Sequence, residues 1–158
     1  MRRLFSLIGT FVLISSCQTE SKQNALLHIN NVNKLEFISV NDKCGEWGGD
    51  EKQLLIYRDD FKGPLLADYS EKTKVCSNGS EPKVTKSIKR IKITEEESKL
   101  IVESINELCE SKMARKDYPS HSGLFNRIML SDSSMMITDF PSVELKNFEK
   151  LVGKIKQK

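Results

Sequence analysis

The chain has 158 residues, enough for one domain with a real core. Its 25 basic residues face 22 acidic ones, a formal charge of +3, without the clustered basic excess that nucleic-acid binders carry. No phosphate loop, dinucleotide fingerprint or zinc-spaced Cys/His set is present, so the sequence calls for no nucleic acid, cofactor or metal.

Met1-Arg2-Arg3 gives a positive start, and Leu4 to Ile14 is an apolar stretch of the length of a secretory signal. That stretch is too short to cross a bilayer core, which takes about 20 apolar residues. Ser15 and Ser16 follow, then Cys17, and from there the chain is polar. Ile14-Ser15-Ser16-Cys17 resembles the lipobox of bacterial lipoproteins: aliphatic, small, small, cysteine. Ile14 stands where leucine is commoner in that family. The resemblance spans residues 1–18 only and is silent about the fold beyond. It implies cleavage between Ser16 and Cys17, a diacylglyceryl group on the Cys17 sulfur and acylation of the new amino terminus. The partner so implied is a membrane, gripped through an N-terminal lipid anchor. One acyl chain binds marginally, at about 0.8 kcal/mol per buried methylene, whereas two or three hold stably. Gln18 is not the aspartate that some bacterial groups use for retention at the inner membrane. The expected location is therefore the cell envelope, at the outer membrane, on its periplasmic or surface face. Removal of residues 1–16 leaves 142 residues and, with Arg2 and Arg3 gone, a charge near +1.

Residues 17–33 read as the lipidated cysteine and a polar tether, interrupted by Ala25-Leu26-Leu27, and residues 34–158 as a single domain. Leu35 to Val40 has strand composition, and a glycine-rich loop follows through Gly45, Gly48 and Gly49. Gln53–Tyr57 and Leu65–Tyr69 are further strands, separated by the turn Asp59-Asp60-Phe61-Lys62-Gly63. A short strand is expected at Thr73–Cys76, ending at Asn78-Gly79. Ser87–Ile93 alternates apolar and polar, with Arg90 out of register, inside the basic run Lys83–Lys92 whose lysines point outward. Thr94-Glu95-Glu96-Glu97 is a capping box. The helix it opens carries Ile101, Ile105, Leu108 and Cys109 on one stripe and fades near Met113. Leu124–Leu130 and Met135–Phe140 flank Ser131-Asp132-Ser133-Ser134 as a hairpin, with Met135 and Met136 on opposite faces. From Ser142 a second helix presents Leu145, Phe148, Leu151, Val152 and Ile155. Strands, helix, hairpin, helix is an α+β order: a mostly antiparallel sheet with two helices packed on one face.

With Cys17 acylated, Cys44, Cys76 and Cys109 remain, and an exported protein meets oxidising conditions. Three cysteines permit one internal bridge. Cys109 falls on the apolar stripe of a helix and reads as a small buried hydrophobe. Cys44 and Cys76 lie in polar, turn-prone surroundings and are the favoured pair.

The segment Cys44-Gly45-Glu46-Trp47-Gly48-Gly49-Asp50-Glu51 holds the only tryptophan, three glycines and three acids. It lacks the alternating ligand spacing of a calcium loop, and its reading is structural: a wide turn with Trp47 beside a disulfide. Within it Trp47 is the candidate partner contact, since exposed aromatics anchor interfaces. Asp59-Asp60 reads as turn chemistry. His121, between Ser120 and Ser122, has no nucleophile elbow around it, and no residue is assigned a catalytic role. The expected function is a non-catalytic binding, inhibitory or scaffolding module acting on another envelope component. Two alternatives stand beside it. An envelope hydrolase with dispersed acids predicts a cleft of carboxylates with raised pKa, and a small apolar-ligand binder predicts an enclosed apolar pocket.

Overall fold

A computed structural model describes residues 26–77, 80–116 and 119–158. The residues read above as a signal segment and lipobox, with Cys17, the first part of the segment read as a tether, Asn78-Gly79 and Asp117-Tyr118 lie outside them. The elements run β1 (Leu35–Val40), β2 (Glu51–Tyr57), β3 (Leu66–Thr73), β4 (Lys83–Lys92), α1 (Glu95–Ala114), β5 (Leu124–Leu130), β6 (Met136–Ser142) and α2 (Lys146–Ile155). The protein is α+β, with one six-stranded sheet in the order β4-β3-β2-β1-β5-β6 and every neighbouring pair antiparallel.

Alternation along the strands builds the core, because successive side chains leave opposite faces. Leu35 and Phe37 of β1 are buried, opposite Ile56 and Leu54 on one side and Leu130 and Ile128 on the other. Ala67 and Tyr69 extend the same rows onto β3. Ile101 and Leu108 of α1 and Phe148, Leu151, Val152 and Ile155 of α2 belong to the same buried cluster. The Phe148 ring stacks on that of Phe37, centroids 5.5 Å apart and planes within 4°.

Thr94 opens α1 as its sequence demands. Its hydroxyl accepts the Glu97 amide at 3.2 Å while the Glu97 carboxylate accepts the Thr94 amide at 2.7 Å. Glu97 is buried, and Lys158 at the end of the chain reaches it at 2.7 Å. Burial works against ionisation of Glu97, but the Lys158 ammonium and the Thr94 donors outweigh it and hold the pKa below the ordinary value. Thr94→Ala removes one of the reciprocal bonds and is expected to lower stability by about 1 kcal/mol. Urea unfolding followed by helical circular dichroism measures the loss, and an unchanged midpoint would contradict it.

The structure departs from the sequence reading in four places. No strand covers Thr73–Cys76: β3 runs from Leu66 and ends at Thr73, residues 74–76 lie outside the strands, and β4 begins early, at Lys83. The helix expected from Ser142 starts at Lys146, because β6 runs through Ser142, whose hydroxyl accepts from Asn126 at 2.9 Å. The first amides of α2 are capped from elsewhere: Glu107 of α1 accepts from the amides of Lys146 at 2.8 Å and Asn147 at 3.0 Å. Residues 26–33, assigned to the tether, are built into the domain. Asn30 Oδ1 accepts the amides of Val32 and Asn33, both at 2.8 Å, and the turn so formed buries Ile29. Cys109 is a free thiol, half-buried rather than fully enclosed.

Other readings match the coordinates. Arg90 interrupts the β3–β4 register with a φ of 56°, and its amide donates to Asp68 at 2.8 Å. Met135 packs against the core while Met136 is exposed.

Candidate functional site

β1 and β2 end in a loop, residues 41–50, whose backbone is held almost amide by amide. Asn41 Oδ1 accepts the amides of Lys43 at 3.2 Å and Asp50 at 2.9 Å. Cys44 donates to the Gly48 carbonyl at 2.8 Å, and Gly48 to that of Gly45 at 3.0 Å, closing the short 3-10 turn Gly45–Trp47. This turn needs its glycines. Gly45 and Gly48 have φ of 62° and 74°, where a side chain is strained. A Cβ on Gly49 would lie 1.9 Å from Asn41 Oδ1 and 2.7 Å from the Asn41 carbonyl oxygen.

The chain leaving β3 is clamped to this loop by a disulfide and by hydrogen bonds, among them one from Lys43 Nζ to the Lys74 carbonyl at 3.3 Å. Cys44 and Cys76 form the disulfide, bridging a separation of 32 residues. Asp50 accepts the Lys74 amide at 2.9 Å and the Lys43 ammonium at 3.3 Å. Lys74 Nζ donates to the Trp47 carbonyl at 2.5 Å. These bonds hold the backbone of Trp47 in place while its side chain stays 70% exposed. Beside it opens a cavity of about 550 Å³ lined by Cys44, Trp47, Lys74, Cys76, Ser80 and Pro82, among others. A pinned backbone under an exposed indole suits recognition, because little backbone freedom is left to lose when a partner covers it.

Asp50 holds the clamp electrostatically. The Lys74 amide, with help from Lys43 and Asn41, keeps its pKa below the ordinary carboxylate value against the opposing effect of partial burial. A folded-state pKa lowered from 3.8 contributes stability that is present above that value and is lost as pH falls through the folded pKa. Asp50→Asn is therefore expected to destabilise near neutral pH, and the difference from wild type should be smaller at a pH below 3.8. Urea midpoints at the two pH values test this, and a difference that grows on acidification would contradict it.

The other sequence candidates are dispersed. Glu46 is exposed on the loop, while Glu51 is drawn away to Lys72 at 2.7 Å. Asp60 Oδ1 accepts the amides of Lys62 and Gly63, the turn role expected of it, and Asp59 pairs with Arg90 at 2.7 Å. His121 is exposed, and the Ser120 hydroxyl donates to the Ser122 carbonyl at 2.5 Å rather than meeting the imidazole as acceptor. His28 lies at the other end of the sheet, 3.3 Å from Asp132. Among the described residues no group of three or more His, Cys, Asp and Glu side chains is placed to hold a metal ion.

One charged group escaped the sequence reading. Asp139 of β6 is fully buried and receives the Arg115 guanidinium from the end of α1. The available signal was its alternation with Ile137, which puts a carboxylate in a core-facing position opposite Asn126. Arg115 lies far away in sequence and gave no sign of the pairing.

Comparison with protein-family profiles, curated proteins and solved structures finds no match to this chain.

Proposed function

We infer that this protein is a lipid-anchored component of the cell envelope, held at the outer membrane through acylated Cys17, and that its domain binds another envelope protein non-catalytically through the Trp47 loop. The observation that carries the reading is the exposed indole on a backbone locked by a disulfide and the Asp50 clamp. The disulfide suits an oxidising compartment, in accord with export through residues 1–16. Among the described residues, the carboxylates whose titration is displaced, Asp50, Glu71, Glu97 and Asp132, are all held below their ordinary range by lysines or by hydrogen-bond donors. That is the condition of structural ion pairs, whereas a general acid needs its carboxyl pushed upward.

A photo-crosslinking amino acid at position 47, expressed in the native host, tests the reading. The expected result is one dominant adduct with an envelope protein, absent when the crosslinker replaces exposed Met113 on α1. Equal adducts from both positions, or none from position 47, would overturn it.

A further inference from the structure

Trp47 occupies one end of the sheet; the opposite end carries a different set of exposed groups. There the turn 26–34, the β2–β3 loop and the β5–β6 hairpin are bound to one another. Arg58 donates from its amide to the Asn30 carbonyl at 3.4 Å and from Nε to the Ile29 carbonyl at 3.1 Å, and its Nη1 reaches the Gly63 carbonyl at 2.5 Å. Ser131 donates its amide to the Lys34 carbonyl at 2.9 Å, and Asn33 its side-chain amide to Asp132 at 3.0 Å. Three large apolar side chains stand out from these loops: Leu27 at 69%, Val32 at 74% and Phe61 at 72% exposed. Val32 and Phe61 line the same open depression of about 410 Å³.

Cations rim this end. Lys62 neighbours Phe61, Lys34 lies over the Tyr57 ring at 5.4 Å, and Lys92 ends β4 opposite Leu66. None of the three forms an ion pair among the described residues. Of the nearby carboxylates, Asp59 is paired with the Arg90 guanidinium, whereas Asp60 is held by two neutral amides and Asp132 by His28, Asn33 and Ser134, so Lys34, Arg58, Lys62, Arg90 and Lys92 outnumber these three acids. Apolar side chains rimmed by lysines that form no ion pair suit a bilayer interface, in which the former enter the headgroup boundary and the latter meet anionic headgroups.

We propose that this end of the domain is a membrane-docking surface for a bilayer with anionic headgroups, seating Leu27, Val32 and Phe61 in the interface and turning Trp47 away from it. The inference rests on the lipid-anchor reading of Cys17 and extends it from an attachment point to an orientation. Two features select the bilayer as occupant. Charge complementarity is one. The other is chain length: Cys17 and Leu26 are nine positions apart in the sequence, a span of at most about 32 Å, and Leu26 enters the domain at this end. Because β1, a six-residue strand, separates the two ends by about 20 Å, docking here presents the Trp47 loop outward, where a partner can reach it.

The test uses the full lipidated protein reconstituted into phosphatidylcholine vesicles containing phosphatidylglycerol, with brominated acyl chains as tryptophan quenchers. Wild type reports position 47 through its single tryptophan, and the double variant Trp47→Phe, Phe61→Trp reports position 61. Flotation with the vesicles establishes attachment first. The expected result is quenching at position 61 at least about threefold stronger than at position 47, since interfacial side chains sit about 5–10 Å into the headgroup region. Lys62→Glu with Lys92→Glu, both at exposed positions, should weaken that quenching. Flotation with equal quenching at the two positions, or none at 61, would overturn the docking surface while leaving the anchor intact. Failure to float would overturn the anchor reading and the docking surface with it. Quenching at 61 unaffected by the two lysine replacements would overturn the recognition of headgroup charge.

Discussion

Replacing Phe148 by alanine is expected to cost about 4 kcal/mol of folding stability, the range of a fully buried aromatic truncated to a methyl group. Phe148 is 1% exposed and stacks on Phe37, itself 2% exposed and central in the sheet. The ring therefore joins α2 to β1, and its removal leaves a cavity that the strands, fixed by pairing on both sides of β1, cannot close. Since the stability of a domain is about 5–15 kcal/mol, the variant should be largely unfolded in mild denaturant. Urea unfolding followed by far-UV circular dichroism measures it, and a loss below about 1 kcal/mol would contradict the packing described. Phe148→Leu should recover most of the loss by refilling the volume.

Removing the disulfide, by Cys44→Ser together with Cys76→Ser, is expected to cost about 3.5 kcal/mol, since a bridge spanning 32 residues withdraws that much freedom from the unfolded chain. The local consequence differs from the global one. β2 and β3 remain paired between the two cysteines, so the sheet should persist, whereas the clamp between the 41–50 loop and the chain after β3 is reduced to hydrogen bonds of Asp50, Lys43 and Lys74. Trp47 fluorescence anisotropy should fall in the double variant while far-UV circular dichroism changes little under native conditions. A variant with unaltered anisotropy and an unaltered urea midpoint would show that the bridge contributes neither stability nor loop order. The Phe148 and disulfide effects should add, because the two sites share no partners.

How far the sequence disclosed these features depended on whether their causes were local. The α1 cap was legible because Thr94 and Glu97 satisfy each other within one turn. The disulfide was legible because Cys44 and Cys76 stand in polar turns while Cys109 stands on an apolar helical stripe. Trp47 was singled out by its glycine-rich context, but the sequence could not show what pins its carbonyl, because Lys74 lies on another loop. The start of α2 was misread since its cap, Glu107, belongs to a different helix. Ile29 lies in the segment read as a polar tether, and only its neighbours in space reveal its core position. The buried Asp139 was hidden for the same reason: its counter-ion, Arg115, is contributed by the far end of α1. The docking end was invisible for a related cause, being assembled from three loops whose exposed Leu27, Val32 and Phe61 are isolated in the chain.

The measurement that bears most directly on the whole account is the intact mass of the protein purified from membranes, taken with and without reductant. The expected mass corresponds to cleavage before Cys17 plus acyl chains, with a gain of two hydrogen atoms when the Cys44–Cys76 bridge is reduced. A full-length, unacylated chain would contradict the anchor, and with it the envelope location and the orientation of the Trp47 loop away from the membrane.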